Sequence, residues 1–185
     1  MDEFFRGTFS LPDCLNRWHT GGLSKHVGEW RRRGVTVPSW AYSGTDAALL
    51  WAMIRVFKPN RVLEVGSGFS TRVANAAIEA NADEASGGNA DGSASRLRAK
   101  HTCIEPFNQE NIGEALNIEV KEEKVQRVAL EYFSALESGD ILFLDTSHVI
   151  TPYGDTIFEL LFILPVLKPG VIVHVHDMYV WWHGV

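Results

Sequence analysis

Residues 62–71, which read Val-Leu-Glu-Val-Gly-Ser-Gly-Phe-Ser-Thr, decide the fold class. A short β-rich run from Arg61 to Val65 ends at a Gly-x-Gly turn, and Ser70 and Thr71 can cap a helix that follows. Such a turn lets a ligand approach the backbone closely and aims amide N–H groups at it. The stretch therefore predicts a strand, a turn able to bind a ligand, and a helix.

The rest of the chain continues this alternation of strand-like and helix-like runs. Strands are predicted at 61–65, 101–105, 118–120, 140–144 and 171–176. Helices are predicted at 46–57, 70–80, 109–116, 129–136 and 155–167, with Pro165 disturbing the last turn of the final helix. Alternation of this kind is typical of βαβ units around a parallel sheet that is buried on both faces.

Length and composition narrow the class of protein. The chain has 185 residues, enough for about one domain, and 45% of them are hydrophobic, as in ordinary globular proteins. No apolar run is long enough to cross a bilayer, and no signal peptide is visible. The net charge of −6 argues against a nucleic-acid partner. Two cysteines, Cys14 and Cys103, form no disulfide framework or metal ligand set, which fits a reducing cytoplasm.

Two segments depart from the alternation. Residues 1–40 show no clean period and are interpreted as an N-terminal extension, so the main domain covers residues 41–185. Residues 81–95 consist almost entirely of Asn, Ala, Asp, Glu, Gly and Ser, which cannot bury apolar area. We therefore expect residues 81–99 to be a flexible insertion between the first helix after the glycine turn and the second strand.

The residues around the glycine turn argue against a dinucleotide as the ligand. The dinucleotide-binding fingerprint requires a third glycine at position 71, where this chain has Thr71. The acid Glu64 stands just before the two glycines, which points away from a cradle for pyrophosphate. A function as an oxidoreductase that binds NAD on the same kind of sheet nevertheless remains an alternative.

A second acid, Glu105, follows the second predicted strand. At that position a carboxylate lies beside the glycine turn and can accept hydrogen bonds from both hydroxyls of a ribose. The usual spacing of about 20 residues from the glycines is exceeded here, and the insertion accounts for the excess. The alternative is that Glu105 caps a turn.

Carboxylates and imidazoles follow the fourth and fifth strands. Asp145 and His148 come after one strand, and His176 and Asp177 after the other, at the edge where open α/β sheets bind ligands. Such a group can act as a general base or hold a divalent cation. A structural role for His148 is an equal alternative, and His174 is interpreted as structural.

Several motifs along the chain together resemble one family. They are Tyr42 to Asp46, Phe57 to Pro59, Leu63 to Thr71, Ile104 to Pro106, Lys124 to Gln126, Asp140 to His148, Gly154-Asp155, Leu164-Pro165 and Gly170 to Asp177. Over about residues 40–180 the chain resembles the class I methyltransferases that use S-adenosylmethionine, in particular the methyltransferase 24 family.

The resemblance implies a fold, a cofactor and a set of site residues. The expected fold is a Rossmann-like, doubly wound, mostly parallel sheet with strand order 3-2-1-4-5. The expected reaction is transfer of a methyl group from S-adenosylmethionine to a small molecule, by O-methylation. The implied cofactor-binding residues are Glu64, Gly66, Ser67, Gly68, Ser70, Glu105 and Asp145. The implied catalytic residues are Asp145, His148 and His176, and the implied ligands of a divalent cation are Asp145, His176 and Asp177.

The chain departs from the family pattern at two places. Arg127 stands where relatives tend to have an acid, so a contact with adenine there is in question. The family fold also continues with a helix and an antiparallel strand pair, which the sequence after the fifth strand does not resemble. We therefore expect a sheet without the last two strands, whose exposed edge invites a homo-oligomer. A shortened module that binds the cofactor or a partner without catalysis is a further alternative.

Overall fold

The computed structural model describes residues 29–36, 42, 44–87, 98–108 and 111–177. Within these ranges a five-stranded, all-parallel sheet has the order β3-β2-β1-β4-β5. The strands are β1 (Arg61–Val65), β2 (Lys100–Ile104), β3 (Glu119–Lys121), β4 (Ile141–Leu144) and β5 (Ile172–Val175). The predicted α/β class and strand order are confirmed.

The helices alternate with these strands as predicted, although several are shorter. They are α1 (Glu29–Arg32), α2 (Gly44–Phe57), α3 (Phe69–Ala85), α4 (Ile112–Leu116), α5 (Glu131–Ser134) and α6 (Asp155–Phe158). A 3₁₀ turn covers Val125–Arg127. The helix predicted over residues 155–167 is a composite, because α6 is followed by a π-helical segment, Glu159–Ile163, and a 3₁₀ turn that contains Pro165, Leu164–Val166.

The central strands are apolar and buried because helices cover both faces of the sheet. On one face, Leu50 and Trp51 of α2 pack with Val73 of α3 against Phe143 of β4. On the other face, Phe133 of α5 packs with residues of β1 and β4. Each fully buried large side chain contributes roughly 1.5–3 kcal/mol through removal of apolar area from water. The two apolar layers hold the strands in one register.

That register aligns the carboxyl ends of the three central strands. Val65 at the end of β1 pairs with Ile104 of β2 and with Leu144 of β4. The loops that begin at residues 66, 105 and 145 therefore leave the sheet side by side. In open parallel sheets this edge is the usual place for a ligand.

Helix α3 extends further than predicted and includes the first residues of the expected insertion. Asn81 in its last turn donates a hydrogen bond from Nδ2 to the carbonyl oxygen of Ile54 in α2, at 2.9 Å. Ser86 caps the helix through its backbone N–H, which donates to the carbonyl of Ala82. The prediction of a flexible insertion is thus wrong for residues 81–85, and residues 88–97 lie outside the described part of the chain.

The ends of the chain are described only in part. In the predicted N-terminal extension, Trp30 is 3% exposed and belongs to the core cluster of α2 and α3. Residues 1–28 and 178–185 lie outside the described ranges, so the expectations for the rest of the extension and for the sheet beyond β5 are not tested. No helix among the described residues is long and apolar enough to span a membrane.

Candidate functional site

The glycine turn after β1 lies directly against the loop after β4. Gly66 has φ +100°, a backbone conformation that favours glycine, and a Cβ built on it would collide with the carbonyl oxygen of Asp145. The two loops are tied to the sheet by backbone hydrogen bonds of 2.9 Å, from Gly66 N–H to Ile104 and from Asp145 N–H to Val65. Glycine at position 66 therefore permits the close approach of two loops at the ligand edge.

A cleft of about 530 Å³ opens at this edge. Its walls come from the ends of β1, β2 and β4, from the 3₁₀ turn after β3, and from the loop before α6. Three of the predicted site residues line it, namely Gly66, Glu105 and Asp145. This size falls within the range of pockets for small ligands.

Glu105 joins two of the loops that form the cleft. One carboxylate oxygen accepts a hydrogen bond from the backbone N–H of Ser67, at 3.2 Å, and the other accepts from the N–H of Phe107, at 2.8 Å. The bond with Phe107 is the turn cap that the sequence offered as an alternative. A carboxylate has about four acceptor sites, so the cap leaves capacity for the hydroxyls of a ligand.

Other predicted cofactor-binding residues lie outside the lining of the cleft. Glu64 is fully buried and Ser70 is 3% exposed, so neither side chain reaches the cavity. Ser67 and Gly68 are not part of the cavity wall either, although the described residues leave open space around the Cα of Gly68. Arg127 is also absent from the wall, whereas Lys124, Val125 and Gln126 of the same turn belong to it.

The rim residues predicted from the ends of β4 and β5 lie together. A carboxylate oxygen of Asp145 is 3.2 Å from Nδ1 of His176 and 3.3 Å from Nε2 of His148. Asp177 lies 3.5 Å from the same nitrogen of His176 and 3.9 Å from that of His148. Ligand atoms of Asp145, His148 and His176 fall within 4.8 Å of one another, a spacing that suits a metal ion. That triad contains His148, where the sequence prediction of ligands had Asp177.

Two further residues of this site, Asp46 and Tyr42, were not predicted as site residues from the sequence. Oδ2 of Asp46, in the first turn of α2, lies 3.7 Å from Nε2 of His176. The ring of Tyr42 packs on the ring of His176, with centroids 5.0 Å apart. The motif from Tyr42 to Asp46 contributed to the family resemblance, but no spacing in the sequence pairs it with position 176.

Burial and neighbouring charges shift the pKa values of two side chains at the rim, Asp145 and His174. Burial raises the pKa of Asp145, although the adjacent His176 and His148 oppose the shift. Burial, reinforced by the neighbouring His176, lowers the pKa of His174 to about 4, and its ring packs edge-on against Phe143. His174 is therefore neutral near pH 7, which agrees with a structural role.

The loop between β4 and α6 is held by a carboxylate of the following helix. Asp155 accepts hydrogen bonds from the backbone N–H and from the hydroxyl of Ser147, and the N–H is at 3.1 Å. Across the cleft, Nε2 of Gln126 donates to the carbonyl oxygen of Tyr153 at 3.1 Å. Hydrogen bonds therefore hold the loop before α6 both to that helix and to the 3₁₀ turn after β3.

Comparison with known proteins identifies the family. A family model described as a methyltransferase domain, of the methyltransferase 24 family, matches residues 63–178, which is more than half of the chain. The chain belongs to this family. It is therefore a methyltransferase domain of class I, and S-adenosylmethionine is the cosubstrate that the family implies. No curated protein and no solved structure matches the chain significantly.

The matched region of the methyltransferase contains the whole cleft and most of the rim. It begins within β1, ends just after β5, and includes Gly66, Glu105, Asp145, His148 and His176. Asp46 and Tyr42 lie before it. Membership favours methyl transfer over the NAD-dependent alternative, in agreement with Thr71 at the position of the third fingerprint glycine.

Proposed function

We propose that this methyltransferase transfers a methyl group to a hydroxyl oxygen of a small-molecule acceptor. The observation that carries the proposal is the position of Asp145, which lines the cleft and also contacts both imidazoles of the rim. A cofactor in the cleft and a base or cation at the rim would meet at this one carboxylate. That arrangement suits removal of a proton from an acceptor beside the reactive methyl.

The cleft supports a specific placement of S-adenosylmethionine. The methionine part would lie at the glycine turn, where Gly66 lines the cleft, and the ribose hydroxyls would donate to Glu105. Asp145 would then stand next to the reacting end of the cofactor. No pyrophosphate is present in this ligand, so a third glycine is not needed.

The chemical step is an in-line displacement. The acceptor oxygen forms a bond to the methyl carbon, the carbon–sulfur bond breaks, and its electron pair stays on sulfur, which gives S-adenosylhomocysteine. The acceptor proton passes to a base, and alignment of oxygen and methyl supplies most of the acceleration. His148 is the better base on grounds of access, because its side chain is 28% exposed whereas that of His176 is 7% exposed.

The rim also fits a divalent cation. Two imidazoles and one carboxylate form a donor set that suits a transition metal better than magnesium. Nδ1 of His176 faces Asp145, and the other ring nitrogen, buried and without a hydrogen-bond partner among the described residues, points toward Asp46. A carboxylate on the far side of a histidine commonly orients metal ligands. A cation bound by Asp145, His148 and His176 would lower the pKa of an acceptor hydroxyl.

One experiment separates the base from the cation. Methyl transfer to a panel of hydroxylated acceptors is measured with and without a chelator, for the wild type and for His148→Ala. Loss of turnover on chelation, with recovery on adding zinc or manganese, supports a metal site. Full turnover in chelator, with loss in His148→Ala, supports a metal-free base. No methyl transfer to any oxygen nucleophile, together with transfer to nitrogen or sulfur, would contradict O-methylation.

Two predictions about the setting of the protein accompany this function. The acidic composition and the two cysteines predict a cytoplasmic enzyme that acts on small molecules rather than on nucleic acid. The position of β5 at the edge of the described sheet supports a homo-oligomer formed along that edge.

A further inference from the structure

Glu64 is enclosed beneath the glycine turn by three polar side chains. It is fully buried, and its carboxylate accepts a hydrogen bond from the hydroxyl of Thr71 at 2.8 Å. Nε2 of His101 lies 2.9 Å from the other oxygen, and the sulfur of Cys103 is 3.8 Å from the first. A carboxylate so deep in the protein requires such partners, because burial of an unpaired charge is unfavourable by several kcal/mol.

The surroundings of His101 fix the direction of these hydrogen bonds. Its Nδ1 is buried and has no hydrogen-bond partner among the described residues, so a proton there would be left unpaired. The geometry therefore places a ring proton on Nε2, where it is donated to Glu64. Burial and then the charge of Glu64 raise the pKa of Cys103, which keeps this thiol protonated as well. All three neighbours thus donate to one carboxylate.

The hydrogen bonds continue from Glu64 into the turn. Because the Thr71 hydroxyl gives its proton to Glu64, its oxygen is free to accept, and the backbone N–H of Gly68 donates to it at 2.9 Å. The preceding amide, that of Ser67, donates to Glu105. Two consecutive amides of the turn are therefore oriented by two carboxylates, one buried and one in the cleft.

We propose that His101 and Thr71 are positioning residues for the cofactor turn, which they hold through the buried carboxylate of Glu64. Neither side chain reaches the cleft, since His101 is 4% exposed and Thr71 is fully buried. Their effect on a ligand passes through the backbone of Ser67 and Gly68. The identity of the ligand, S-adenosylmethionine, rests on the proposed function. The order of the turn does not, because it can be measured in the protein without a ligand.

Matched variants separate a positioning role from a general structural one. Thr71→Val removes the hydroxyl and keeps the shape, whereas Thr71→Ser keeps the hydroxyl. His101→Leu removes the donor, whereas His101→Gln retains an amide donor close to the position of Nε2. Hydrogen exchange of the Ser67 and Gly68 amides in the free protein reports on the turn. Titration calorimetry with S-adenosylmethionine reports on binding.

The expected result is a paired pattern in both measurements. Thr71→Val and His101→Leu should speed exchange at Ser67 and Gly68 and weaken S-adenosylmethionine binding by roughly tenfold, in line with the loss of a hydrogen bond to a charged group. Thr71→Ser and His101→Gln should restore most of both. Affinity and exchange unchanged in Thr71→Val would overturn the proposal, as would equal losses in Thr71→Val and Thr71→Ser. If the wild type binds no S-adenosylmethionine, the proposed function fails, and the exchange pattern alone decides on the positioning role.

Discussion

At the scale of single residues, Gly66 has the least space for a side chain among the glycines of the described ranges. Replacement by alanine places a Cβ against the carbonyl of Asp145 at a positive φ. We expect Gly66→Ala to lower the free energy of unfolding by roughly 2–3 kcal/mol, because a left-handed conformation and a steric collision both oppose the side chain. Urea unfolding followed by circular dichroism measures the change.

The matched control for that substitution is Gly68→Ala. A Cβ at Gly68 meets no heavy atom within 4 Å among the described residues, and its φ of 163° is extended backbone open to any residue. Stability should therefore change little in the control. If Gly68→Ala destabilises as much as Gly66→Ala, the collision with Asp145 is not the reason that glycine is needed.

The buried side chain of Glu159 predicts that the stability of the protein depends on pH. This side chain is 3% exposed, one of its oxygens has no partner among the described residues, and burial raises its pKa from 4.5 to about 7 despite a hydrogen bond with Thr146. The native state then holds a proton that the unfolded state releases between these pH values. The stabilisation is complete below pH 4.5 and is lost as the pH rises through about 7, by up to about 3 kcal/mol.

The test compares the unfolding free energies of the wild type and Glu159→Gln at pH 5 and pH 8. The glutamine variant cannot ionise, so it should lack this part of the decline and should gain in stability relative to the wild type as the pH rises. The exposed Glu131→Gln is the control and should follow the wild type. Parallel pH profiles for the wild type and Glu159→Gln would show that Glu159 titrates normally in the native state.

Which site residues could be predicted from the sequence depends on how local their signal is. Glu105 and Asp145 follow strands directly, so the rule that ligands bind at the carboxyl ends of strands located both at the cleft. Asp46 and Tyr42 reach His176 only through the packing of α2 on the sheet. The burial of Glu64 likewise depends on β2, and no local pattern reveals it.

At the scale of elements, the end of helix α3 shows where composition misleads. Residues 81–85 are polar or small, and the sequence assigned them to a flexible insertion. In the structure they remain helical because their polar groups have tertiary partners. Asn81 and Glu84 bond the side chain of Arg55, and Asp83 forms an ion pair of 3.0 Å with Arg33. Tertiary contacts outweigh a weak local preference.

Two replacements test this boundary. Residues 81–87 and, separately, residues 88–95 are exchanged for Gly-Ser segments of equal length. We expect the first replacement to lower the melting temperature clearly, because it removes the bonds to Ile54 and Arg55. The second should change stability little, because the segment has no apolar anchor in its sequence. A larger drop in melting temperature for the replacement of residues 88–95 than for that of residues 81–87 would contradict this boundary between helix and insertion.

The composite helix after residue 155 departs from its prediction for another reason. The apolar pattern and the position of Pro165 predicted one continuous helix with a disturbed end, but the change to π geometry begins earlier, at Glu159. That segment places Glu159 in the interior beside Thr146, which follows Asp145. Single-turn π segments occur often near functional sites. Hydrophobic periodicity alone does not report such a local change of winding.

At the scale of the whole molecule, the fold follows from alternation and topology. Each strand of the sheet is parallel to its neighbours and is separated from the next strand in sequence by a helical segment. The alternation predicted a parallel sheet, and the strand order came from the family resemblance. From β1 the chain adds β2 and β3 on one side of the sheet, and it then adds β4 and β5 on the other side of β1. This change of side between β1 and β4 places the ligand edge between these strands. Gly66 and Asp145 meet at that point.

Binding of S-adenosylmethionine decides whether the cleft at the glycine turn and Glu105 is the cofactor site. Titration calorimetry should show saturable binding of S-adenosylmethionine and S-adenosylhomocysteine and none of NAD. Glu105→Ala should weaken the binding free energy by roughly 1–3 kcal/mol, since it removes an acceptor for the ribose and the anchor of the Ser67 amide. The exposed Glu123→Ala should bind like the wild type. Binding of NAD without binding of either S-adenosyl compound would show that the cleft is not a site for S-adenosylmethionine.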